Sequence, residues 1–395
     1  MTERHTFDVV IVGGGVIGSA VAFFLAEDNA FDGTVAVVER DPTYVNGSTA
    51  RSVGGVRQQF STPENIEMSL FGAHFFREAA VRLEVAGERP EVDFNEAGYL
   101  LLASPAGLEV LRDNHALQKE KGARVVLLEP AELDRRFPWL RTDDLAGGSL
   151  GVSGEGWIDG YSLLMALKRK AQTLGVSFVR GEVVGADRNG TRVTSLKLDD
   201  GRELVAGKVV NAAGPAAAAV AGMVGIEDLP VHCRKRLVYS FECPTEILNC
   251  PLVVDPGGVY FRPESGRFVC GVSPPADQDP DCEDLVVEGD LFEDVIWPSL
   301  AHRVPAFETL RPTKPWAGHY AVNIVDRNAI LGPHPEVGNF YFANGFSGHG
   351  LQQAPAVGRA IAELIVYGGY RSLDLRRFSF ERFAAEKPVL ERNVI

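Results

Sequence analysis

Near its start the chain carries an apolar run, Phe7 to Val12, broken only by Asp8 and followed by three glycines and a second apolar stretch, Val16 to Ala26. β-branched residues crowd the first run, which predicts a strand buried on both faces; the second has helical character. Gly33 breaks the chain, and Thr34–Val38 reads as another buried strand ending at Glu39. Strand, helix and strand in this order make a βαβ unit. Residues 9 to 26 carry no charge, which is the length of a membrane span. Gly13, Gly14, Gly15 and Gly18 interrupt the run, so a buried strand and helix account for it better, and the chain is expected to be soluble.

Further along, 46–61 is polar and predicts a loop. Met68, Leu70, Phe71, Phe75 and Phe76 recur at helical spacing within 64–86. Residues 94–103 read as a strand and 105–122 as a helix. Leu163–Leu174 is helical, and Val176–Arg180 is a strand continued through 181–187. Two runs, Arg192–Leu198 and Glu203–Val205, flank the hairpin signal Asp199-Asp200-Gly201. Lys208–Val210 is a further strand leading into Asn211-Ala212-Ala213-Gly214-Pro215. Strand-like runs alternate with turns over 231–325. The end returns to strand (Phe340–Ala343), loop (Gly345–Gly350) and helix (Gln352–Tyr367), with Val357, Ala360, Ile361, Leu364 and Ile365 on one stripe. The expected fold is α/β: a discontinuous Rossmann-type domain over 1–80, 151–230 and 326–395. The rest, 81–150 and 231–325, forms an α+β substrate domain on a mixed or antiparallel sheet.

Composition narrows the partners. The net charge is −14 over 395 residues, which argues against nucleic acid and gives no reason to expect an anionic membrane surface. Cys233, Cys243, Cys250, Cys270 and Cys282 form no CxxC pair, so reduced thiols in a cytoplasmic setting are expected, with no metal site.

The chemistry begins at Gly13-Gly14-Gly15-Val16-Ile17-Gly18, a GxGxxG loop between strand and helix. Gly13 allows the tight turn, Gly15 the close approach of a pyrophosphate, and Gly18 the packing of helix on strand. The amides of Val16 and Ile17 open the helix, where its dipole favours phosphate. Glu39 follows 21 residues after Gly18, at the distance of a ribose-binding acid, with Arg40 beside it. The loop alone does not choose between FAD and NAD. A second glycine-rich loop, Gly345-Phe346-Ser347-Gly348-His349-Gly350, feeds the last helix. The N-terminus of that helix is suited to the flavin N1–O2 edge, where negative charge collects on reduction.

These three features, with the Asn211–Gly214 strand end, resemble the D-amino-acid oxidase superfamily of flavoenzymes. Its members include sarcosine oxidases, glycine oxidase, dimethylglycine dehydrogenase and D-amino-acid dehydrogenases. Two stretches, Ser52–Ser61 and Trp316–Tyr320 through Gly332–Pro335 to Gly348–Pro355, resemble the branch of mitochondrial FAD-dependent oxidoreductase-domain proteins that serve complex I assembly. The resemblance implies a flavin-wrapping loop of Ser48, Thr49, Arg51, Ser52, Gly54 and Gly55. It implies an adenine contact at Val183 and a cofactor-side strand end at Ala213 and Gly214. It implies an isoalloxazine loop of Gly345, Ser347, Gly348, His349, Gly350, Leu351 and Gln352.

The departures from the family carry information too. Arg51 and Gly55 stand where covalent members carry the flavin-linking histidine, and Gly318 stands at the linking cysteine, so noncovalent FAD is implied. Val269 falls at the lysine that promotes reaction with oxygen in sarcosine oxidases. Gln352 falls at their carboxylate-binding lysine, and Tyr320 at the carboxylate arginine of D-arginine-type dehydrogenases. The implied reaction oxidises a carbon beside the nitrogen of an amino acid or of a secondary or N-methylated amine, with hydride passing to flavin N5. A quinone or flavoprotein is implied as acceptor more than oxygen. Tyr260 and His349 match residues facing substrate and flavin; Tyr260 equally suits a strand core. Arg57, Arg262 and Arg236 are candidates for a substrate carboxylate, each also explicable as a structural arginine. His319 and Tyr320 are candidates for the cleft wall. Two other readings stay open: a flavin-bearing assembly protein in contact with a respiratory complex at the inner membrane, and an NAD-dependent dehydrogenase.

Overall fold

The computed structural model describes residues 4–392. Among them, two large sheets are built from interleaved stretches of chain.

The first sheet has a parallel centre. The opening strand, Arg4–Val12, lies between Val35–Glu39 and Glu203–Asn211, parallel to both. Phe340–Asn344 extends the parallel order beyond Glu203–Asn211, and Ser177–Arg180 extends it beyond Val35–Glu39. Alternation along the opening strand explains why both of its faces are apolar. Val9 and Ile11 join the helices Val16–Glu27, Pro63–Arg82, Gly160–Thr173 and Gly350–Tyr367 in one core. Val10 and Val12 join a second core on the opposite face, with Leu196, Leu204 and Val220. Every parallel strand ends on the same edge, where ligands of open α/β sheets bind.

Two expectations change here. Glu203–Val205 and Lys208–Val210 are one strand, Glu203–Asn211. Gly207 keeps it continuous, because a side chain there would press on the Asp8 carbonyl oxygen at 2.7 Å. Conversely, the run expected to continue through 181–187 is two strands with different neighbours. Ser177–Arg180 pairs with Val35–Glu39, while Val183–Asn189 turns away to pair with Arg192–Leu198.

The second sheet is antiparallel except for one pair, Leu252–Val254 against Tyr99–Ala103. Its pleat divides it cleanly. Leu100, Phe241, Val253, Phe261 and Cys270 face a layer of short helices containing Ile296, Leu300 and Phe307. Tyr99, Leu101, Leu252, Val254 and Tyr260 face the other way, towards the cofactor edge of the first sheet.

Candidate active site

The cofactor end begins where the opening strand stops. The amide of Gly13 donates to the Val38 carbonyl at 2.9 Å, and the amide of Ala212 donates to the Val12 carbonyl at 2.9 Å. Three strand ends are thereby drawn to one point. Gly13 has φ +100°, and a side chain there would overlap the Ala212 carbonyl; a side chain at Gly18 would overlap the Gly13 carbonyl. Both positions therefore exclude any other residue. Gly15 differs: the nearest atom to a side chain there is Thr49 Oγ1 at 3.6 Å, leaving room for a ligand.

Glu39 is held rigidly. Its carboxylate accepts from the amides of Gly14 and Asp41, each at 2.8 Å. Gly181 donates to the Glu39 carbonyl at 3.1 Å, and Arg40 reaches Glu182 at 3.4 Å, so Val183 begins its strand beside the acid. Thr49 Oγ1 accepts from the amide of Val16 at 3.2 Å and so sits at the first turn of the helix. The hydroxyls of Ser48 and Tyr44 are buried without a hydrogen-bond partner among the described residues. A buried hydroxyl left unpaired is costly, and a phosphate beside the open Gly15 would satisfy that of Ser48. Ala213 and Gly214 lie at the end of the Glu203–Asn211 strand, with open space around Gly214. These residues fit a dinucleotide.

The loop after Ser48 is tied to the second sheet. Arg51 donates through Nε to the Val45 carbonyl at 2.9 Å and through Nη1 to the Ala317 carbonyl at 2.9 Å. Its Nη2 reaches the Asn46 side chain at 2.8 Å. Trp316 Nε1 returns the contact to the Arg51 carbonyl at 3.1 Å. Gly318 faces Arg51 Cβ, 3.2 Å from where a side chain would begin. Ser52 Oγ accepts from Gly54 at 3.1 Å, and Gly55–Val56 pairs with Gly156–Trp157.

Beyond that loop lies a cleft. Its walls include Gly55, Arg57, Tyr99, Leu252, Tyr260, Tyr320, Gly348, His349, Leu351 and Gln352. The 52–57 loop, the second glycine-rich loop, the Gly350–Tyr367 helix and the second sheet meet there. Arg57 is buried, and its Nη2 lies 3.1 Å from His349 Nε2. A guanidinium only donates, so Nε2 accepts and the imidazole proton is on Nδ1. Burial, and then the neighbouring Arg57 cation, push the His349 imidazole down to about 3. It is therefore neutral in ordinary buffers. Phe60 packs against both, 4.2 Å beneath the guanidinium and edge-on to the imidazole at 4.9 Å. Burial also raises the phenols of Tyr99, Tyr260 and Tyr320, which keep their protons.

Below the cleft, Glu155 is fully enclosed. Its oxygens accept from the Gln58 amide at 2.6 Å and from Gln59 Nε2 at 2.7 Å.

Of the three candidate arginines, Arg57 alone lines the cleft. Arg262 donates to the Val53 carbonyl at 2.9 Å, pairs with Glu264 and lies over Trp157. Arg236 makes a bidentate pair with Asp279 at 2.7 and 2.8 Å and lies over the Tyr320 ring. His319 and Tyr320 were expected on one wall, but adjacent strand residues face opposite ways. Tyr320 reaches the cleft, while His319 Nε2 contacts the Asp284 carbonyl. Val269 pairs with Arg262, and Tyr260 with Gly271, so Val269 stands on the same sheet face as Tyr260. Sequence reasoning missed Tyr99, Glu155 and the hydroxyl of Tyr44. No local pattern marks them: Tyr99 begins an apolar strand, and Glu155 sits in an ordinary glycine turn.

A Rossmann edge with a dinucleotide cradle, facing an aromatic cleft on a second sheet, is the architecture of a two-sheet dinucleotide-dependent oxidoreductase. The profile of the FAD dependent oxidoreductase (DAO) family matches residues 8–364, and the chain belongs to that family. FAD-dependent oxidoreductase domain-containing protein 1 of Xenopus laevis is 44% identical over 422 residues, covering 98% of this chain and 85% of that protein. Glycine oxidase of Geobacillus kaustophilus is 28% identical, covering 96% of this chain and 97% of that protein. Among solved structures, L-proline dehydrogenase from P. horikoshii superposes with a TM-score of 0.86 at 25% identity, covering 98% of this chain and all of that one (100%). The protein is thus an FAD-dependent oxidoreductase related to amino-acid and sarcosine-type oxidases.

Proposed function

We propose that the protein is an amine or amino-acid dehydrogenase that oxidises the C–N bond of an amino acid or of a secondary or N-methylated amine, using noncovalent FAD. The observation that carries this reading is Arg57, a buried guanidinium that lines the cleft together with Tyr99, Tyr260, Tyr320, Leu252, Leu351, Gln352 and the neutral His349. In a chain of net charge −14, a local arginine is the means of drawing in a carboxylate against the overall field. FAD, when bound, takes up the hydride from the carbon beside the amine nitrogen. Arg57 binds the carboxylate of the substrate, and His349 holds the guanidinium in place by accepting from it. Tyr99, Leu252, Tyr260, Tyr320 and Leu351 form the wall that excludes water. The cofactor is held by Gly13, Gly15, Glu39, Ser48, Thr49, Ala213 and the 345–352 loop.

Gly318 and Arg51 at the positions of family linking residues support the noncovalent attachment. The apolar Val269 on the cleft face supports transfer to a quinone, flavoprotein or dye rather than to oxygen. Assignment of strands to two sheets supports the division into a flavin domain (1–80, 151–230, 326–395) and a substrate domain (81–150, 231–325). Anaerobic mixing with a panel of sarcosine-, proline- and D-amino-acid-like compounds tests the reading: one class should bleach the flavin, and no bleaching by any of them would sink it. Acid precipitation should release the chromophore into the supernatant.

A second reading has one specific support, the 44% identity to the FAD-dependent oxidoreductase domain-containing protein 1 sequences. On that reading the chain is a flavin-bearing assembly protein that contacts a respiratory complex. Among the described residues no helix is long and apolar enough to cross a membrane. Co-purification with respiratory subunits in the absence of turnover would favour it.

A further inference from the structure

We propose that Glu155 is a positioning residue for Arg57: a buried carboxylate that clamps the 57–59 segment and sets the charge Arg57 offers to an anionic ligand. This rests on the reading of Arg57 as the carboxylate receptor.

The geometry is a short relay. One Glu155 oxygen accepts from the Gln58 amide at 2.6 Å, and the other from Gln59 Nε2 at 2.7 Å. Gln59 Nε2 also donates to the Tyr99 carbonyl at 2.8 Å, while the Gln59 carbonyl accepts from Arg57 Nη1 at 2.8 Å. One residue, Gln59, therefore connects the carboxylate to the guanidinium and to a strand of the cleft wall. The fold reserves the space for this acid: Gly151 packs against it, and any side chain at 151 would overlap the carboxylate.

A carboxylate is expensive to bury, but both of its oxygens accept here, where an amide would turn its NH2 group towards one of the two donors. The acid also adds charge. Arg57 acts on it through charge, and the amide of the adjoining Gly154 is held by Glu96, itself paired with Arg77. The 57–59 segment presents Arg57, the Tyr99–Ala103 strand presents Tyr99, the Gly147–Gly151 strand presents only Gly151, and the Pro63–Arg82 helix presents Ala73 near the Gly154 turn. Behind Arg57 stands the neutral His349. Tyr99 keeps its proton because burial raises it. Burial raises Glu155 to about 7, opposed by its hydrogen bonds to Gln59 and Gln58 and by the Arg57 cation.

The consequence has a definite sign. An ionised Glu155 cancels part of the Arg57 charge and repels an incoming carboxylate; a protonated Glu155 does neither. Binding of an anion therefore favours the protonated acid, takes up a proton, and weakens as pH rises through about 7.

Calorimetric titration of the FAD-loaded full chain with pyrrole-2-carboxylate, from pH 6 to pH 8, tests this. Affinity is expected to fall about five- to tenfold over that range. Repeating the titration in buffers of different ionisation enthalpy should show proton uptake approaching one per ligand near pH 8. Glu155→Gln should bind at every pH with the affinity of the wild type at pH 6, and with no proton uptake. If that variant fails to hold FAD, the wild-type proton count decides alone. Binding that is independent of pH and takes up no proton overturns the proposal while leaving Arg57 as receptor. Absence of binding at every pH overturns the receptor reading and this proposal together.

Discussion

The amide of Arg57 donates to the side-chain oxygen of Gln352 at 2.6 Å, joining residues 295 positions apart. The arginine of the cleft is thereby fastened to the first turn of the Gly350–Tyr367 helix. Replacing Gln352 by Leu leaves a buried amide without its acceptor, at a cost of about 1–3 kcal/mol. The urea midpoint should drop accordingly, and small carboxylates should bind more weakly, because Arg57 loses its fixed position. Gln352→Glu keeps the acceptor and should retain most of the stability. Equal stability of Gln352→Leu and wild type would show that the bond contributes nothing.

Ser48 allows the cofactor cradle to be tested apart from the fold. Its hydroxyl is buried but makes no hydrogen bond within the described residues, so removing it takes no interaction from the apoprotein. Ser48→Ala should unfold at the same urea concentration as wild type without FAD. Its FAD affinity should fall by about 1–2 kcal/mol, roughly tenfold, for the loss of a hydrogen bond to a charged group. Fluorescence titration with FAD measures this; an unchanged dissociation constant would place the phosphate elsewhere.

His349 makes acid stability a readout of the cleft. In the folded protein it titrates at about 3, below the value of about 6.5 for an unfolded histidine. Between those values the unfolded chain binds a proton that the folded chain does not. Stability is thus fully present above about pH 6.5 and is lost as pH falls towards 3, by up to about 1.4 kcal/mol per pH unit. Urea unfolding at pH 7.5 and pH 5 should show a smaller loss for His349→Gln than for wild type. Identical losses would mean that the imidazole is not held neutral.

Val269 stands on the sheet face that carries Tyr260, and it is buried. Lysine at this position should raise the rate at which the reduced flavin is reoxidised by oxygen, by tenfold or more on the proposed reading. Stopped-flow mixing of photoreduced protein with aerated buffer measures it without any substrate. A rate equal to wild type would remove the apolar residue as the reason for favouring another acceptor.

Much of the first sheet was legible because its signals are local. A β-branched run, three glycines and an acid at fixed spacing carry their own physical reasons, and the structure draws Gly13, Gly15, Glu39 and Thr49 to one edge. The second sheet was legible as strands but not as a wall. Whether Tyr260 belonged to a core or a cleft depends on register, and pairing with Gly271 and Val254 settles its face only once the strands are aligned. The arginines were harder still. Arg57, Arg236 and Arg262 look alike in sequence; Asp279, which pairs with Arg236, lies 43 residues away from it, and Glu264, which pairs with Arg262, lies two residues away. Glu155 gave no signal at all, since its burial comes from Gln58, Gln59 and Gly151, which reach it from two other segments.

The parallel order of the first sheet has a consequence for how the protein is made. Arg4–Val12 leaves the ribosome well before its neighbour Glu203–Asn211, which in turn lies beside Phe340–Asn344. The cofactor edge therefore waits, half-built, through most of translation, with apolar strand faces exposed. Such a chain is at risk of aggregation until the Gly350–Tyr367 helix emerges. Expression yield should consequently respond to the supply of riboflavin and to slowed synthesis more than the stability of the finished protein would suggest.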